Sequence, residues 1–274
     1  MKGGAGNAGM GLRAYALAYL LFLYAPILLL PIFAFNSGTI IAFPLKGFTT
    51  DWFVQMWENA SLRRALTNSL TIAISSSVLA TCLGVFAARA STRFQFPGKG
   101  PIMGLIMLPL VLPEIIVSIS LLVVLLSLGV KLTILTVILG HTLICMPYAT
   151  VILSTAFNSL DRSLEEAAYD LGETRFSAFR LVILPLVMPG IISSLLMSFT
   201  ISLDEFIIAF FLAGNEPTLP TYIYSQLRFP KQIPMIMALG SVLVLMSIIL
   251  LTIAEYFRRR GIAKTGAKDT GGFL

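Results

Sequence analysis

Charge is what this chain lacks. Asp, Glu, Lys and Arg make up 12% of its 274 residues, while 57% are hydrophobic. A soluble domain is about 25% charged, because polar side chains must cover its surface. The deficit excludes a soluble enzyme, a disordered chain and a nucleic-acid binder. Histidine and cysteine are also scarce, at 1 and 2 residues. No cluster of Cys, His and acids has metal-ligand spacing, so no bound metal is expected. Cys82 and Cys145 fall inside apolar runs and read as small buried side chains rather than a disulfide. No Gly-x-x-x-x-Gly-Lys-Ser/Thr loop is present, and Gly98-Lys99-Gly100 is too short to cradle phosphates, so this chain does not hydrolyse ATP itself. The absence of an internal repeat disfavours transporter folds built from duplicated halves.

What the chain does have is long apolar runs. Charge-free stretches extend from Ala14 to Leu45, Ala65 to Ala88, Leu132 to Leu160, Leu181 to Leu203 and Ile233 to Ala254. Another apolar run, between Lys99 and Lys131, is interrupted only by Glu114. A spanning helix needs about 20 mostly apolar residues. No period-2 alternation of the barrel type accompanies these runs. They predict an all-α integral membrane fold with six transmembrane helices, near 14–36, 66–89, 102–128, 133–157, 183–213 and 234–256. Residues 1–13 read as an N-terminal segment, 14–256 as the membrane domain and 257–274 as a tail. The Gly-rich start and the stretch after Lys264 are expected to be flexible. With the N-terminus inside, the 19 Lys and Arg divide as 13 on the inner side and 6 on the outer. Both termini are therefore expected in the cytoplasm. The net charge of +6 then reflects topology and attraction to anionic membrane lipid, not a nucleic-acid partner.

The most charged internal segment runs from Asn158 to Leu181. It reads as two short helices joined at a glycine. Ser163 and Glu166 fit a capping box. Leu164, Ala167, Ala168 and Leu171 form an apolar face, with Glu165 elsewhere on the helix. Gly172 sits where a left-handed C′ residue would end the first helix, and Thr174 can cap the second. A short amphipathic helix must bury its apolar face against headgroups or a protein. The acids argue against anionic lipid and favour a protein.

Glu166-Ala167-Ala168, three residues, Gly172, nine residues, then Val182-Ile183-Leu184-Pro185 resembles the EAA loop of ABC-importer permease subunits. That pattern carries Ile where this chain has Val182. The resemblance, covering nearly the whole chain, implies a type I ABC-importer permease fold in a bacterial inner membrane. The loop near 158–185 would be the coupling helix, docking into a groove on a cytoplasmic ATPase subunit, with a polar contact from Glu166 and the sharp turn at Gly172. It further implies a second, related permease subunit, two ATPase subunits that bind ATP and Mg, an extracytoplasmic solute-binding protein, and no cofactor on this chain.

Three carboxylates fall within the spans: Glu114, Asp204 and Glu205. Each costs about 2.5–3.5 kcal/mol at mid-bilayer on insertion scales, a cost that usually marks function. Helix rises put them near the midplane. Ser194, Ser198, Ser202 and Glu205 share one helical face, whereas Asp204 points about 100° away. Either that polar stripe lines a pathway with Glu205, or the serines pack between helices. No Lys or Arg lies in any span interior, so the acids suit a cationic solute. Ser202-Leu203-Asp204-Glu205-Phe206 and Leu112-Pro113-Glu114-Ile115-Ile116 resemble the fifth and third spans of spermidine/putrescine permeases, which implies a polyamine substrate. The alternatives are an ABC permease for another small solute, or a proton-coupled secondary transporter using these carboxylates as relays. His141 is expected to be buried and hydrogen-bonded. Trp52 and Trp57 would anchor an interfacial helix or meet the binding protein, which Glu216 could also touch. Arg258 to Arg260 would anchor the last helix.

Overall fold

A computed structural model of the protein describes residues 5–265. The expectations for residues 1–4 and for the tail from 266, including Lys2 and Lys268, lie outside the described residues. Five helices are long and apolar enough to cross a membrane, and a sharply bent pair supplies a sixth span if counted as one.

The chain divides into two compact units. The first combines residues 1–59 with 225–274. In it α1 (Ala5–Ala34) packs along α12 (Ile233–Thr265), which also meets the short α2 (Asp51–Glu58). The glycines at 6, 9 and 11 lie inside α1, so the expected flexible start is helical from Ala5. The loop from α1 to α2 is tied by Asn36, which is 2% exposed. Its side-chain oxygen accepts from the Lys46 N–H at 3.0 Å, and its carbonyl accepts from the Trp52 indole N–H at 2.8 Å. Trp52 therefore pins this loop, while Trp57 stays exposed.

The second unit, residues 60–224, is built on α3 (Ala60–Arg93), α6 (Ile134–Asn158) and α9 (Leu184–Asp204). Small residues let these backbones approach, as expected of helices that cannot rely on water to drive association. The packed face of α3 carries Ala65, Ser69, Ala73, Ser76, Ala80 and Ala88, all buried. A Cβ on Gly84 would lie 2.9 Å from the Ala149 Cβ, and one on Gly190 would lie 2.5 Å from the Ala156 Cβ. Hydroxyls join the three helices: Ser76 Oγ donates to Ser202 Oγ at 2.8 Å, Ser202 Oγ meets His141 Nδ1 at 2.7 Å, and Thr81 Oγ1 lies 3.1 Å from Ser194 Oγ. His141 is buried and hydrogen-bonded, as expected. Cys145 is buried and free, whereas Cys82 is free but exposed, contrary to its expected burial.

Two spans expected to be continuous are broken. The third consists of α4 (Lys99–Val111) and α5 (Glu114–Ser127), bent by 110°. Pro113 drives its preceding residue out of the helical region, and Leu112 is extended, with ψ 142°. The fifth breaks after α9, where Glu205 is extended with ψ 118°, and resumes as α10 (Ile207–Leu212), which packs on α5. No proline or glycine marks that second break. The unit ends within α11 (Leu219–Gln226).

Candidate functional site

The loop after α6 forms the two short helices expected of it. The first is α7 (Ser163–Asp170) and the second is α8 (Arg175–Ala178), which continues through a π-helical turn, Phe179–Ile183, into α9 and Pro185. Gly172 has φ +86°. Its N–H donates to the Tyr169 carbonyl at 2.9 Å, and the Glu173 N–H donates to the Ala168 carbonyl at 3.1 Å. These two bonds are the Schellman pattern, which closes a helix through a left-handed C′ residue. Thr174 Oγ1 accepts the Ser177 N–H at 3.2 Å and caps α8 as expected. The expected Ser163–Glu166 capping box does not form. Asp161, two residues earlier, accepts the Ser163 N–H at 3.0 Å instead. The Ser163 backbone and side-chain bonds, then the nearby Arg93 charge, hold the Asp161 carboxyl below its ordinary range. Glu166 is left exposed and unneeded as a cap.

Only Ala168 of the expected apolar face is buried. Leu171 is 86% exposed and Phe176, on α8, 74%. The loop presents apolar side chains and the Glu166-Ala167 edge outward, uncovered among the described residues.

The sequence reading missed what holds α7 in place. Arg93, the last residue of α3, pairs its Nε with Glu165 Oε1 at 3.0 Å, with side-chain exposures of 8% and 14%. The contact is a charge pair whose angle falls outside hydrogen-bond geometry. The same guanidinium donates through Nη2 to the carbonyls of Phe157 at 3.1 Å and Leu160 at 3.0 Å, at the end of α6. Arg162 Nη2 reaches the Thr92 carbonyl at 3.4 Å. The loop is thereby tied to the ends of α3 and α6. Residues so far apart in sequence leave no local pattern by which this pairing could be found.

The membrane acids separate by environment. Glu114 is exposed at the first turn of α5, just past the bend, where a helix N-terminus favours negative charge. Asp204 is exposed at the last turn of α9. Glu205 is 8% exposed and turns inward, where its carboxylate accepts the Ile208 N–H and closes the start of α10. Ser198 and Ser202, expected as candidates for the pathway, are buried at 0% and 3% exposure. The serine stripe and Glu205 do share a face, but that face packs on α3 and α6. Of the neighbouring pair, Asp204 is the acid left accessible. Ser202, two residues before Asp204, meets His141 about 10 Å from the start of α6, a helix about 37 Å long.

At the end of the unit remote from α7, Arg64 grips Glu216 through two bonds of 3.1 and 2.6 Å. Asn68 donates to the same carboxylate at 3.3 Å and to the Pro217 carbonyl at 2.9 Å. Hydrogen bonding from Arg64, then from Asn68, holds the Glu216 carboxyl below its ordinary value. Among the described residues no group of His, Cys, Asp and Glu has the arrangement of a metal site.

Residues 80–261 match the family described as binding-protein-dependent transport system inner membrane component. The chain is 32% identical over 249 residues to the spermidine/putrescine transport system permease protein PotC of Haemophilus influenzae, covering 90% of this chain and 96% of that protein. It is 38% identical over 215 residues to the putrescine transport system permease protein PotI of Escherichia coli, covering 76% of each. Among solved structures, a chain of a bacterial ABC transporter involved in the import of the acidic polysaccharide alginate superposes with a TM-score of 0.71 at 17% identity, covering 94% of this chain and 98% of that one. That likeness shows that the fold is the ABC-importer permease fold expected from the loop. A nearly all-helical chain with these spans and this match belongs to the binding-protein-dependent transport system inner membrane components, as a multi-pass transport permease subunit.

Proposed function

We propose that this subunit imports polyamines through a path on which Glu114 and Asp204 present their carboxylates. The observation that carries the substrate class is that both acids are exposed at helix ends while the span interiors hold no Lys or Arg. The relatives named for spermidine and putrescine support it. A polyamine is a chain of ammonium groups, and spaced carboxylates match it while binding weakly enough to release it. Glu205 acts beside them as a positioning residue that holds the break after Asp204.

The basic residues orient both termini to the cytoplasm, which puts α7 and α8 on the same side. There Glu166, Ala167, Leu171 and Phe176 form a surface suited to a groove on an ATPase subunit, a helix-in-groove contact. Ala168 packs inward, Gly172 makes the turn, and Pro185 starts the following span. Two such ATPase subunits bind ATP and Mg and hydrolyse the ATP. A second permease subunit completes the path, and a solute-binding protein delivers cargo from outside. Closure of the ATPase pair on ATP pulls α7, and the Arg93–Glu165 pair passes that pull to α3.

The test is uptake of labelled putrescine by the complete transporter in proteoliposomes. Glu114→Gln and Asp204→Asn are each expected to abolish uptake while the ATPase subunits still copurify. Unchanged uptake in both variants rejects the cationic path. Uptake driven by a proton gradient with no ATPase present rejects the importer reading itself.

A further inference from the structure

The ends of α3, α7 and α8 line a half-open cavity of about 280 Å³ that polyamine transport does not use. Four arginines line it, Arg89, Arg93, Arg162 and Arg175, against two acids, Glu165 and Glu166. The two signs do not cancel: Arg93 and Glu165 answer each other, and three arginines remain against Glu166 alone. Arg89 is the informative member. Its guanidinium lies 4.2 Å from the centre of the Phe179 ring, which holds it in place. Its Nη1 is buried and has no hydrogen-bond partner among the described residues. A buried guanidinium N–H without an acceptor is costly, and arginine's planar fork matches the oxygens of a phosphate. Arg89 also sits one turn before the end of α3, about 6 Å along the axis, which is headgroup depth for a span ending at Arg93. Basic pockets between spans on the cytoplasmic side are suited to anionic headgroups.

We propose that Arg89, Arg162 and Arg175 form a binding site for a phosphate group, taken from an anionic phospholipid of the inner leaflet or from a soluble phosphate. A phosphate held there bridges α3, the start of the coupling loop and α8, adding to the ties through Arg93, Arg162 and the Arg89–Phe179 contact. Assignment to the inner leaflet rests on the cytoplasmic placement of the loop proposed above, but the site itself does not.

The experiment uses the complete transporter, delipidated in detergent, as wild type, Arg89→Gln, and Arg180→Gln as an exposed control of equal charge. Native mass spectrometry reads retained phosphatidylglycerol, and thermal unfolding reads stabilisation by inorganic phosphate. Loss of one charge-assisted hydrogen bond is expected to lower affinity about tenfold in Arg89→Gln, with Arg180→Gln like wild type. A loss confined to phosphatidylglycerol assigns the lipid source, and a loss confined to inorganic phosphate assigns the soluble one. Equal binding of both by wild type and Arg89→Gln overturns the site. So does a weaker hold on the ATPase subunits in Arg89→Gln with no change toward either phosphate, since an acidic side chain of that subunit then fills the cavity. Copurification of the permease partner shows that each variant is folded, and Arg89→Lys, which keeps the charge without the fork, is expected to fall between wild type and Arg89→Gln.

Discussion

Replacing Arg93 by alanine should release α7 from the membrane helices without unfolding them. The side chain makes three contacts at once: a charge pair with the Glu165 carboxylate and hydrogen bonds to the carbonyls of Phe157 and Leu160. Removing it leaves a carboxylate that is 14% exposed with no partner. Breaking a buried pair from one side costs about 3–5 kcal/mol, and at 14% exposure water recovers part of that. Taking about 3 kcal/mol as the net change, the closed-to-open ratio of α7 falls about 150-fold. Glu165→Gln is milder, because Arg93 keeps both carbonyls, and about 1–2 kcal/mol is expected. Hydrogen exchange of the amides of α7 reads both variants, with those at the centre of α6 as an internal reference. The uptake obtained per ATP hydrolysed should fall in parallel, while hydrolysis itself continues. A drop in α7 protection of less than tenfold in Arg93→Ala refutes the reasoning. So does a double-mutant cycle in which the two sites add independently, since partners in one pair must couple.

Other outcomes follow from individual contacts. Gly190→Leu should overpack the α6–α9 contact, where even a Cβ meets Ala156 at 2.5 Å, costing about 1–3 kcal/mol in thermal unfolding of the purified complex. Gly172→Ala meets no neighbouring atom, so its cost of about 1–2 kcal/mol is purely that of a left-handed backbone, with Gly172→Asn recovering part of it; hydrogen exchange at Glu173 gives the comparison. The Arg64–Glu216 contact should weaken in acid. The folded Glu216 carboxyl titrates below its unfolded value of 4.5, so its contribution is whole above about pH 5 and fades as pH falls through the lower folded value. The difference in melting temperature between wild type and Glu216→Gln should follow that course, and a difference that grows toward acid would contradict it.

The legible part of this protein was the part written in neighbouring residues. Missing charge marked the membrane spans, because a stretch of about 20 apolar residues has few other uses. Gly172 and Thr174 announced the turn between α7 and α8, because a left-handed C′ residue and a hydroxyl cap act within one helical turn. The spacing through Glu166, Gly172 and Pro185 pointed to the permease family for the same reason. The break at Pro113 is local too, since a proline drives the residue before it out of the helix, but the 110° bend there, with α5 packed on α10, belongs to the fold.

Tertiary structure alone decided the rest. Asp204 and Glu205 are adjacent carboxylates, yet one is exposed and the other closes α10, because the serine face they flank turned toward α3 and α6. Helical phase placed Glu205 on that face correctly and left open what the face would meet. The Arg93–Glu165 pair joins distant parts of the chain, so no window along the sequence contains it. Sequence by itself determined which segments leave water and where the chain turns, since hydropathy and capping are local properties. Which polar groups face each other inside depends on how helices pack, and that is a property of the whole fold.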